Sequence, residues 1–258
     1  MAKKGLGQHW LSDSDTLASI IAAAEISTGD TVLEIGPGLG YMTDKLLKTD
    51  AAIAVVEFDQ DLLPKLRKKY DHLDKAKLEI IHDDIRTFDL STLPSDYKIV
   101  ANIPYYLTAN LLRRLTDEQS KPGLAVLLVQ KEVAEKVAAS KKRSMLANIV
   151  QAQYQCSLGV EVPAELFQPP PKVDSQVLIL KKLEKPLIPN EKWDEYVRLL
   201  KIAYANPRKK LVHNLSAGLQ ISKDEVRGLL ESNGVDVSVR AEQLEGEEFL
   251  STLNMLGS

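Results

Sequence analysis

The sequence predicts an α/β protein with a mainly parallel sheet, followed by a small all-helical domain. Short apolar runs of strand length alternate with segments of helical spacing up to about residue 181. A glycine-rich loop at residues 36–40 joins the first of these runs to a helix. The composition then changes from strand-rich to helical at a linker bracketed by prolines, residues 185–190. We therefore expect one domain over residues 1–184 and a second over residues 190–258.

The composition is that of a globular protein with a sizeable core, because 44% of the 258 residues are hydrophobic and 27% are charged. No apolar run has the length needed to cross a bilayer, and the N-terminus lacks the apolar segment of a signal peptide. We therefore expect a cytoplasmic protein with no membrane partner. Cys156 is the only cysteine, which excludes a disulfide framework and a cysteine metal site.

The formal net charge of −3 does not favour nucleic-acid binding, because such modules often carry an excess of basic residues. Two local clusters, residues 141–143 and Arg208-Lys209-Lys210, are the candidates for contacts with phosphate groups. A short run of like charges is also typical of an ordinary solvated surface. Nucleic-acid binding would therefore depend on local patches rather than on the overall charge.

The opening segment, residues 3–11, has two glycines that permit sharp turns, followed by a polar pair and two bulky apolar residues. We interpret it either as a tail with an apolar anchor or as a lid over a site. Ser12 or Asp13 then suits the N-cap of a helix that continues through residue 24.

Residues 31–35 have the composition of a buried parallel strand, and the glycine loop connects them to a helix. Gly36 and Gly38 allow the backbone to approach a ligand closely, and the helix end offers free N–H groups. Glu57 follows the next strand, residues 52–56, about 20 positions after the loop. A carboxylate at this position suits hydrogen bonds to both hydroxyls of a ribose.

Glu34 distinguishes between two classes of nucleotide cofactor. A nicotinamide dinucleotide places its pyrophosphate over the helix N-terminus, usually with the spacing G-x-G-x-x-G, whereas this loop is Gly36-Pro37-Gly38-Leu39-Gly40. Glu34 precedes the loop by two residues, so we expect it to face the same pocket. Its carboxylate would repel a pyrophosphate and attract the sulfonium and amino groups of S-adenosylmethionine. The charges therefore favour the methyl donor; the alternative is that Glu34 pairs with a nearby Lys or Arg.

A third strand, residues 78–82, is followed by Asp83 and Asp84. A carboxylate at this edge of the sheet can accept a hydrogen bond from the exocyclic amine of an adenine. We expect Asp84 rather than Asp83 to face the pocket, because the alternation of side chains after a strand turns only one of them inward. The other then lies at the surface or caps a turn.

The strand at residues 98–101 ends in Asn102-Ile103-Pro104-Tyr105-Tyr106. The Asn102 amide oxygen and the Ile103 carbonyl can each accept one N–H of an exocyclic amine, so that the nitrogen lone pair localises toward an electrophile. Pro104 fixes its own φ and biases Ile103 toward an extended conformation. Tyr105 can stack on an unpaired base, a contact that contributes roughly 1–3 kcal/mol. The same string is also typical of an ordinary turn.

Phe167 opens a proline-rich connection between two strands, and we interpret it either as a core residue or as the second aromatic face of a clamp on a base. The cluster of Arg208, Lys209 and Lys210 is predicted at the start of a helix. The other predicted strands cover residues 124–129, 154–162 and 175–181. The other predicted helices cover residues 109–115, 131–139, 144–152, 191–205, 208–219, 222–233 and 246–255.

With these residues identified, the chain resembles the ribosomal RNA adenine N6,N6-dimethyltransferases of the KsgA type. Several motif blocks in the same order are far more specific than any one of them alone. The blocks are Leu6-Gly7-Gln8-His9-Trp10-Leu11, residues 34–40, Val56-Glu57-Phe58-Asp59, Asp84, Asn102-Ile103-Pro104-Tyr105, residues 130–134, residues 167–175, residues 208–211 and residues 240–244.

The resemblance implies a Rossmann-like class I methyltransferase sheet with an antiparallel last strand, plus a small C-terminal all-helical domain. It implies S-adenosyl-L-methionine as cofactor, no metal, and two methyl transfers to each of two adjacent adenines near the 3′ end of small-subunit (16S) ribosomal RNA. The RNA would be presented in an immature small ribosomal subunit, and the enzyme is expected to be a monomer. Residues 1–184 would then form the catalytic domain and residues 190–258 the RNA- or ribosome-binding domain.

The resemblance also assigns roles to individual positions. Asn102 and Tyr105 match the catalytic loop of the family, and Phe167 matches its second stacking aromatic. Arg208, Lys209 and Lys210 match a basic segment of the small-subunit enzymes and are the expected RNA-binding residues. The cofactor contacts of the family correspond to His9, Leu11, Gly36, Glu57, Asp84 and Asn102.

Some features depart from the family pattern. Trp10 stands where the family usually has Phe, and residues 141–146 lack the usual glycine-containing run. The net charge is also less basic than is common in the family. Three alternatives are a large-subunit RNA adenine methyltransferase of the antibiotic-resistance type, a non-catalytic RNA-binding assembly factor and a nicotinamide-dependent oxidoreductase. The motif at residues 240–244 favours the small-subunit enzymes, the intact loop at 102–105 favours catalysis, and Glu34 disfavours the oxidoreductase.

Overall fold

The structure is a computed structural model that describes residues 7–117, 120–244, 248–249 and 251–252. Contacts between Cα atoms divide the chain into two compact units, Met1–Glu135 with Gln155–Lys182 and Lys136–Tyr154 with Leu183–Ser258. None of the helices in the described ranges is both long enough and apolar enough to cross a membrane.

Strands and helices are interspersed up to residue 182, and the elements that the structure describes after it are all helices. The strands are β1 Trp10–Leu11, β2 Thr31–Ile35, β3 Ala52–Glu57, β4 Leu78–His82, β5 Lys98–Asn102, β6 Leu124–Gln130, β7 Tyr154–Val162, β8 Phe167–Gln168 and β9 Ser175–Lys182. The α-helices are α1 Ser14–Ala23, α2 Tyr41–Leu46, α3 Leu63–Lys69, α4 Thr108–Asp117, α5 Lys131–Ala138, α6 Met145–Gln151, α7 Trp193–Ala203, α8 Leu211–Leu219 and α9 Lys223–Ser232. Short 3-10 helices lie at Leu90–Thr92, Tyr105–Leu107, Ala164–Leu166, Asn190–Lys192 and Ala241–Gln243.

Seven strands form one sheet in the order β4-β3-β2-β5-β6-β9-β7. Five adjacent strands, β4, β3, β2, β5 and β6, are parallel to one another. β9 runs antiparallel to β6, with Gln130 opposite Ser175. This confirms the predicted Rossmann-like sheet with an antiparallel last strand. The strand order reverses between β2 and β5, and in sheets of this type ligands bind in the crevice at the carboxyl ends of the strands there.

The core of the first unit explains why these runs form parallel strands. Helices cover both faces of such a sheet, so its central strands are apolar along their whole length. All of β6 except its last residue is buried, as expected for a central strand.

At the start of α1, Asp13 is the N-cap, because its carboxylate accepts the Thr16 N–H at 2.8 Å.

The second unit has a separate core. Ile149 of α6 packs with Ile188, Tyr196 and Leu215, and the Asn148 amide donates to the Tyr204 hydroxyl at 2.9 Å. Residues 136–154, which the sequence placed in the first domain, therefore belong to the helical unit.

The elements differ from the prediction in two respects. The Arg208 cluster does not begin a helix: the Lys209 N–H closes a turn with the Asn206 carbonyl, Lys210 is extended, and α8 begins at Leu211. The short strands β1 and β8 and the helix α3 were not predicted, because two residues or two turns carry little periodicity. The predicted helix at 246–255 lies largely outside the described residues.

Candidate cofactor-binding and catalytic site

A pocket lies where the strand order of the sheet reverses, at the carboxyl ends of β2, β3, β4 and β5. Its walls come from residues 7–11, the glycine loop and the residues that follow each of these strands. The structure brings almost all of the predicted site residues of the first domain to this pocket. Those that line it are His9, Leu11, Glu34, Gly36, Gly38, Glu57, Asp84, Asn102 and Tyr105.

The glycine loop needs glycine for steric reasons. Gly36, Gly38 and Gly40 have φ values of +67°, +58° and +80°, a region that other residues rarely adopt. A Cβ on Gly38 would lie 3.2 Å from the Trp10 indole, and one on Gly40 would overlap the Tyr70 hydroxyl. The loop can therefore turn tightly at the floor of the pocket while aromatic rings pack against its backbone.

Glu34 is buried on the pocket side of β2, with 2% of its surface exposed. The Thr43 hydroxyl donates to its carboxyl group at 2.6 Å, and this hydroxyl, not a Lys or Arg, is its hydrogen-bond partner in the described part of the chain. Burial, together with the carboxylates of Glu57 and Asp44, raises the pKa of Glu34 to about 8. A cation bound beside Glu34 would favour the ionised form, so this side chain is suited to a positively charged ligand.

Glu57 links the end of β3 to the glycine loop. Its two carboxylate oxygens accept the backbone N–H groups of Asp59 at 2.7 Å and of Gly38 at 3.2 Å. Burial raises the pKa of Glu57, and these backbone hydrogen bonds oppose the rise. A carboxylate has about four lone-pair sites, so each oxygen retains capacity for a ligand hydroxyl.

Asp83 and Asp84 both line the pocket, and the expectation that Asp84 rather than Asp83 meets the adenine stays a prediction. The alternation of a strand no longer applies here because the chain turns at once, with the Thr87 N–H bonded to the Asp84 carbonyl at 2.8 Å. The Arg86 guanidinium donates to the Asp84 carboxylate and lowers its pKa. The Asp83 carboxylate accepts the Asp84 N–H at 2.6 Å.

Several lining residues were missed from the sequence. Phe58 and Tyr106 are 52% and 57% exposed, and Ile85 lies among the lining residues of the same pocket. Exposed aromatic rings at a pocket are suited to a planar ligand, but no sequence periodicity distinguishes them from core residues. Arg114 of α4 donates to the carbonyls of Ile85 and Phe88 and so holds the loop after β4.

Residues 7–11, the part of the opening segment that the structure describes, lie against the pocket. The Gln8 amide donates to the Asp59 carboxylate at 2.9 Å, and β1 pairs with β8. The His9 ring nitrogen Nδ1 lies 2.7 Å from the Pro169 carbonyl oxygen; since a carbonyl only accepts, Nδ1 carries the proton. These contacts favour the lid interpretation over a tail.

The Asn102 amide is held in one orientation. Its nitrogen Nδ2 donates to the His9 carbonyl at 3.0 Å, and because that carbonyl cannot donate, the amide cannot be reversed without losing the bond. The oxygen Oδ1 is left available as an acceptor, with no partner among the residues that the structure describes. The Ile103 N–H is bonded to the Leu128 carbonyl, which ties the loop to β6.

Tyr105 begins the 3-10 turn after Pro104, and its ring stacks on the imidazole of His9 with centroids 5.9 Å apart and planes inclined by 21°. Its hydroxyl lies 2.8 Å from the Ser175 hydroxyl. Phe167 is only 3% exposed, pairs with Leu11 across β8 and β1, and is not among the lining residues. The structure thus places Phe167 in the core, and its predicted role in base stacking stays a prediction.

The side chains that line the pocket favour S-adenosylmethionine over a nicotinamide dinucleotide. Among the lining residues that the structure describes, Arg86 is the one with a guanidinium, and it is paired with the carboxylate of Asp84. The carboxyl groups that line the pocket belong to Glu34, Glu57, Asp59, Asp83 and Asp84. Such a wall would repel a pyrophosphate and fits a ligand with cationic groups and a ribose.

A second candidate site lies in the helical unit, where basic side chains surround a groove. Arg208 and Lys210 line it from the turn before α8, together with Lys142 and Arg240. Lys209, the middle residue of the predicted cluster, is not among the lining residues. The groove also contains Ser238, Glu242 and Gln243.

Comparison with known families gives one match over nearly the whole chain. The family described as "Ribosomal RNA adenine dimethylase" matches residues 1–257. This chain belongs to that family. The resemblance inferred from the sequence is thereby confirmed.

Individual relatives resemble the chain over most of their length. "Ribosomal RNA small subunit methyltransferase A" of Rippkaea orientalis (strain PCC 8801 / RF-1) is 39% identical, with 98% of this chain and 97% of the relative covered. The protein of the same name from Ligilactobacillus salivarius (strain UCC118) is 35% identical over 98% of this chain and 90% of the relative.

Solved structures agree with this fold. The crystal structure of a dimethyladenosine transferase from Plasmodium falciparum has a TM-score of 0.83 and 27% identity, covering 96% of this chain and 98% of that one. The 23S rRNA methyltransferase ErmE has a TM-score of 0.77 at 24% identity, covering 96% of this chain and 100% of that one. The ErmE likeness shows a shared fold and does not bear on which RNA is the substrate.

Proposed function

We propose that this chain uses S-adenosyl-L-methionine to dimethylate, at N6, two adjacent adenines near the 3′ end of small-subunit (16S) ribosomal RNA. The substrate is an immature small ribosomal subunit, and the enzyme acts as a monomer in the cytoplasm. Family membership and the names of its relatives support the reaction. The observation that carries the proposal is the Asn102 amide, held by the His9 carbonyl with its oxygen free beside an acidic pocket.

The first unit would hold the cofactor at the carboxyl ends of β2, β3 and β4. S-adenosylmethionine, when bound, supplies a methyl group on a sulfonium that is already activated for transfer. Glu34 at the end of β2 would pair with its cationic amino-acid portion, and Glu57 at the end of β3 would bind the ribose hydroxyls. Asp84 would accept from the adenine amine, and His9, Leu11, Gly36 and Gly38 would complete the walls.

Asn102 would orient the amine of the target adenine. Its Oδ1 and the Ile103 carbonyl would each accept one N–H of that amine, which turns the nitrogen lone pair toward the cofactor side of the pocket. Orientation of the amine matters more than its deprotonation because the methyl donor is already activated, so positioning carries most of the rate. Tyr105 would stack on one face of the base, and Phe167 is proposed for the other after a change in its packing.

The experiment that tests this function is mass mapping of methylated adenines. Immature small subunits, mature small subunits and large subunits are each incubated with the protein and isotope-labelled S-adenosylmethionine. We expect two methyl groups on each of two adjacent adenines near the 3′ end of the small-subunit RNA, and only in the immature particle. Label on large-subunit RNA would show that the substrate is instead that of the antibiotic-resistance type of methyltransferase. No label on any RNA would refute the activity.

The groove in the helical unit is the proposed contact with the RNA backbone. Cationic side chains that neutralise phosphates release counterions, so their loss weakens binding most at low salt. We expect the double substitution Arg208→Ala/Lys210→Ala to weaken binding of the small-subunit RNA by about tenfold or more at low ionic strength. It should also make the plot of log affinity against log salt concentration less steep, by about 2 in the magnitude of its slope.

Lys209→Ala is the matched control, because Lys209 belongs to the same basic tripeptide but does not line the groove. Filter binding over a salt series measures all three proteins, and a cofactor titration checks that the first unit is intact. If the Lys209 variant loses as much affinity as the double variant, the groove is not the binding surface and only overall charge matters.

A further inference from the structure

Ser175 lies at the point where the central sheet meets the loop that carries Tyr105. It is the first residue of β9, stands opposite Gln130 of β6, and is 0% exposed. Its hydroxyl lies 2.8 Å from the Tyr105 hydroxyl. Buried hydroxyls are almost always hydrogen-bonded, and in the described part of the chain Tyr105 is the partner of this one.

The backbone around Ser175 is anchored on both sides. The Asp174 carbonyl accepts the Lys131 N–H at 3.0 Å, and the Asp174 carboxylate accepts the Ala164 N–H at 2.9 Å. β9 itself lies between β6 and β7 inside the seven-stranded sheet. The Ser175 hydroxyl is therefore a fixed point of the scaffold rather than part of a flexible loop.

Tyr105, by contrast, is held by few contacts of its own. It lies in a one-turn 3-10 helix, is partly exposed, and stacks on the His9 ring. Burial raises the pKa of its phenol, so the hydroxyl stays protonated at neutral pH. The phenolic oxygen lies on the long axis of the ring, so a partner at this oxygen fixes the direction of that axis. The Ser175 hydroxyl is this partner.

We propose that Ser175 is a positioning residue that fixes the direction of the Tyr105 ring axis through this hydroxyl pair. The inference rests on the proposed function, in which the Tyr105 ring presents a flat face to the target base. Ser175 touches neither the cofactor nor the base in this account. It acts on turnover by setting where the Tyr105 ring lies against the base and hence where the amine of the base is placed.

A double-mutant cycle tests the proposal. The variants are Ser175→Ala, Tyr105→Phe and the combination, with Ser175→Thr as the conservative variant that keeps a hydroxyl. Ser157→Ala, an exposed serine on the neighbouring strand β7, is the matched control. Steady-state kinetics on immature small subunits give kcat and KM, a cofactor titration gives Kd, and thermal unfolding gives Tm for each protein.

We expect kcat to fall about 5- to 20-fold in Ser175→Ala and by the same factor in Tyr105→Phe, which keeps the ring. The combined variant should be no slower than either single one, because each removes the same interaction. Cofactor Kd should stay within about twofold of the wild type, and Ser175→Thr should recover most of the loss in kcat.

Two results would overturn the proposal while leaving the methyltransferase function intact: unchanged kcat in Ser175→Ala, or effects of the two single substitutions that multiply in the combined variant. A fall in Tm with unchanged kcat would assign Ser175 to stability alone and would also overturn it. Absence of methyl transfer by the wild-type protein would instead refute the proposed function.

Discussion

Asn102→Ala is expected to lower the rate of adenine methylation by about 100-fold or more, a loss comparable to removing one transition-state hydrogen-bonding group in other enzymes. The substitution removes the oxygen that would accept the target amine and the nitrogen that is bonded to His9. Cofactor affinity should change no more than a few-fold, because Glu34, Glu57 and Asp84 are untouched. Single-turnover transfer of labelled methyl groups, with a separate cofactor titration, measures both quantities.

Asn102→Asp sharpens this test because it preserves size and one acceptor oxygen. An aspartate has no N–H for the His9 carbonyl, so two oxygens would face each other and the side chain would lose its fixed orientation. We expect methylation to fall in this variant as well. Asn110→Ala, an exposed asparagine on α4, is the matched control and should behave as wild type. Normal turnover of either Asn102 variant would remove this residue from the mechanism.

Glu34→Gln is expected to weaken cofactor binding by about 10- to 100-fold, since a hydrogen bond between charged groups contributes roughly 1.5–3 kcal/mol. The substitution keeps the shape of the side chain and an oxygen for the Thr43 hydroxyl, but removes the charge that would face the cationic cofactor. Isothermal titration with S-adenosylmethionine measures the loss. Glu79→Gln, an exposed residue on β4, is the control and should bind the cofactor normally.

The pKa of Glu34 gives this prediction a pH dependence. With a folded-state pKa raised from 4.5 to about 8, the folded protein retains a proton that the unfolded chain releases. The stability from this group is thus fully present below the unfolded pKa and is lost as pH rises through the folded pKa. Wild-type Tm should therefore fall relative to that of Glu34→Gln as the pH is raised from 5 toward 8.

Cofactor affinity should follow the opposite trend, because the cation binds the ionised carboxylate. Wild-type affinity is expected to increase as the pH is raised toward about 8, whereas the Gln variant should lack this component. If cofactor affinity depended on pH in the same way in both proteins, Glu34 would not be the group that binds the cation.

The sequence was most informative where a rule of backbone geometry applied. The parallel order of the sheet placed Glu34, Glu57, Asp84 and Asn102 at one edge before any coordinates were known, because carboxyl ends of parallel strands share an edge. The alternation of side chains along a strand does not extend to Asp83 and Asp84, where the chain leaves the strand and turns at once.

Contacts between segments that are distant in the sequence could not be predicted from the sequence. The bond from Asn102 to the His9 carbonyl joins positions 93 residues apart, and the Tyr105 to Ser175 pair spans 70 residues. No local pattern encodes such pairs, since each depends on how the whole sheet assembles. Residues 136–154 likewise belong to the helical unit through packing that periodicity does not reveal.

A crystal structure with a bound cofactor analogue and adenosine tests the central claim most directly. We predict the amino-acid portion of the analogue beside Glu34, its ribose on Glu57, and the adenosine amine within hydrogen-bonding distance of Asn102 Oδ1. The base should lie against the Tyr105 ring. Density for the cofactor away from the glycine loop, or a nucleoside bound remote from Asn102 at saturating concentration, would contradict the account.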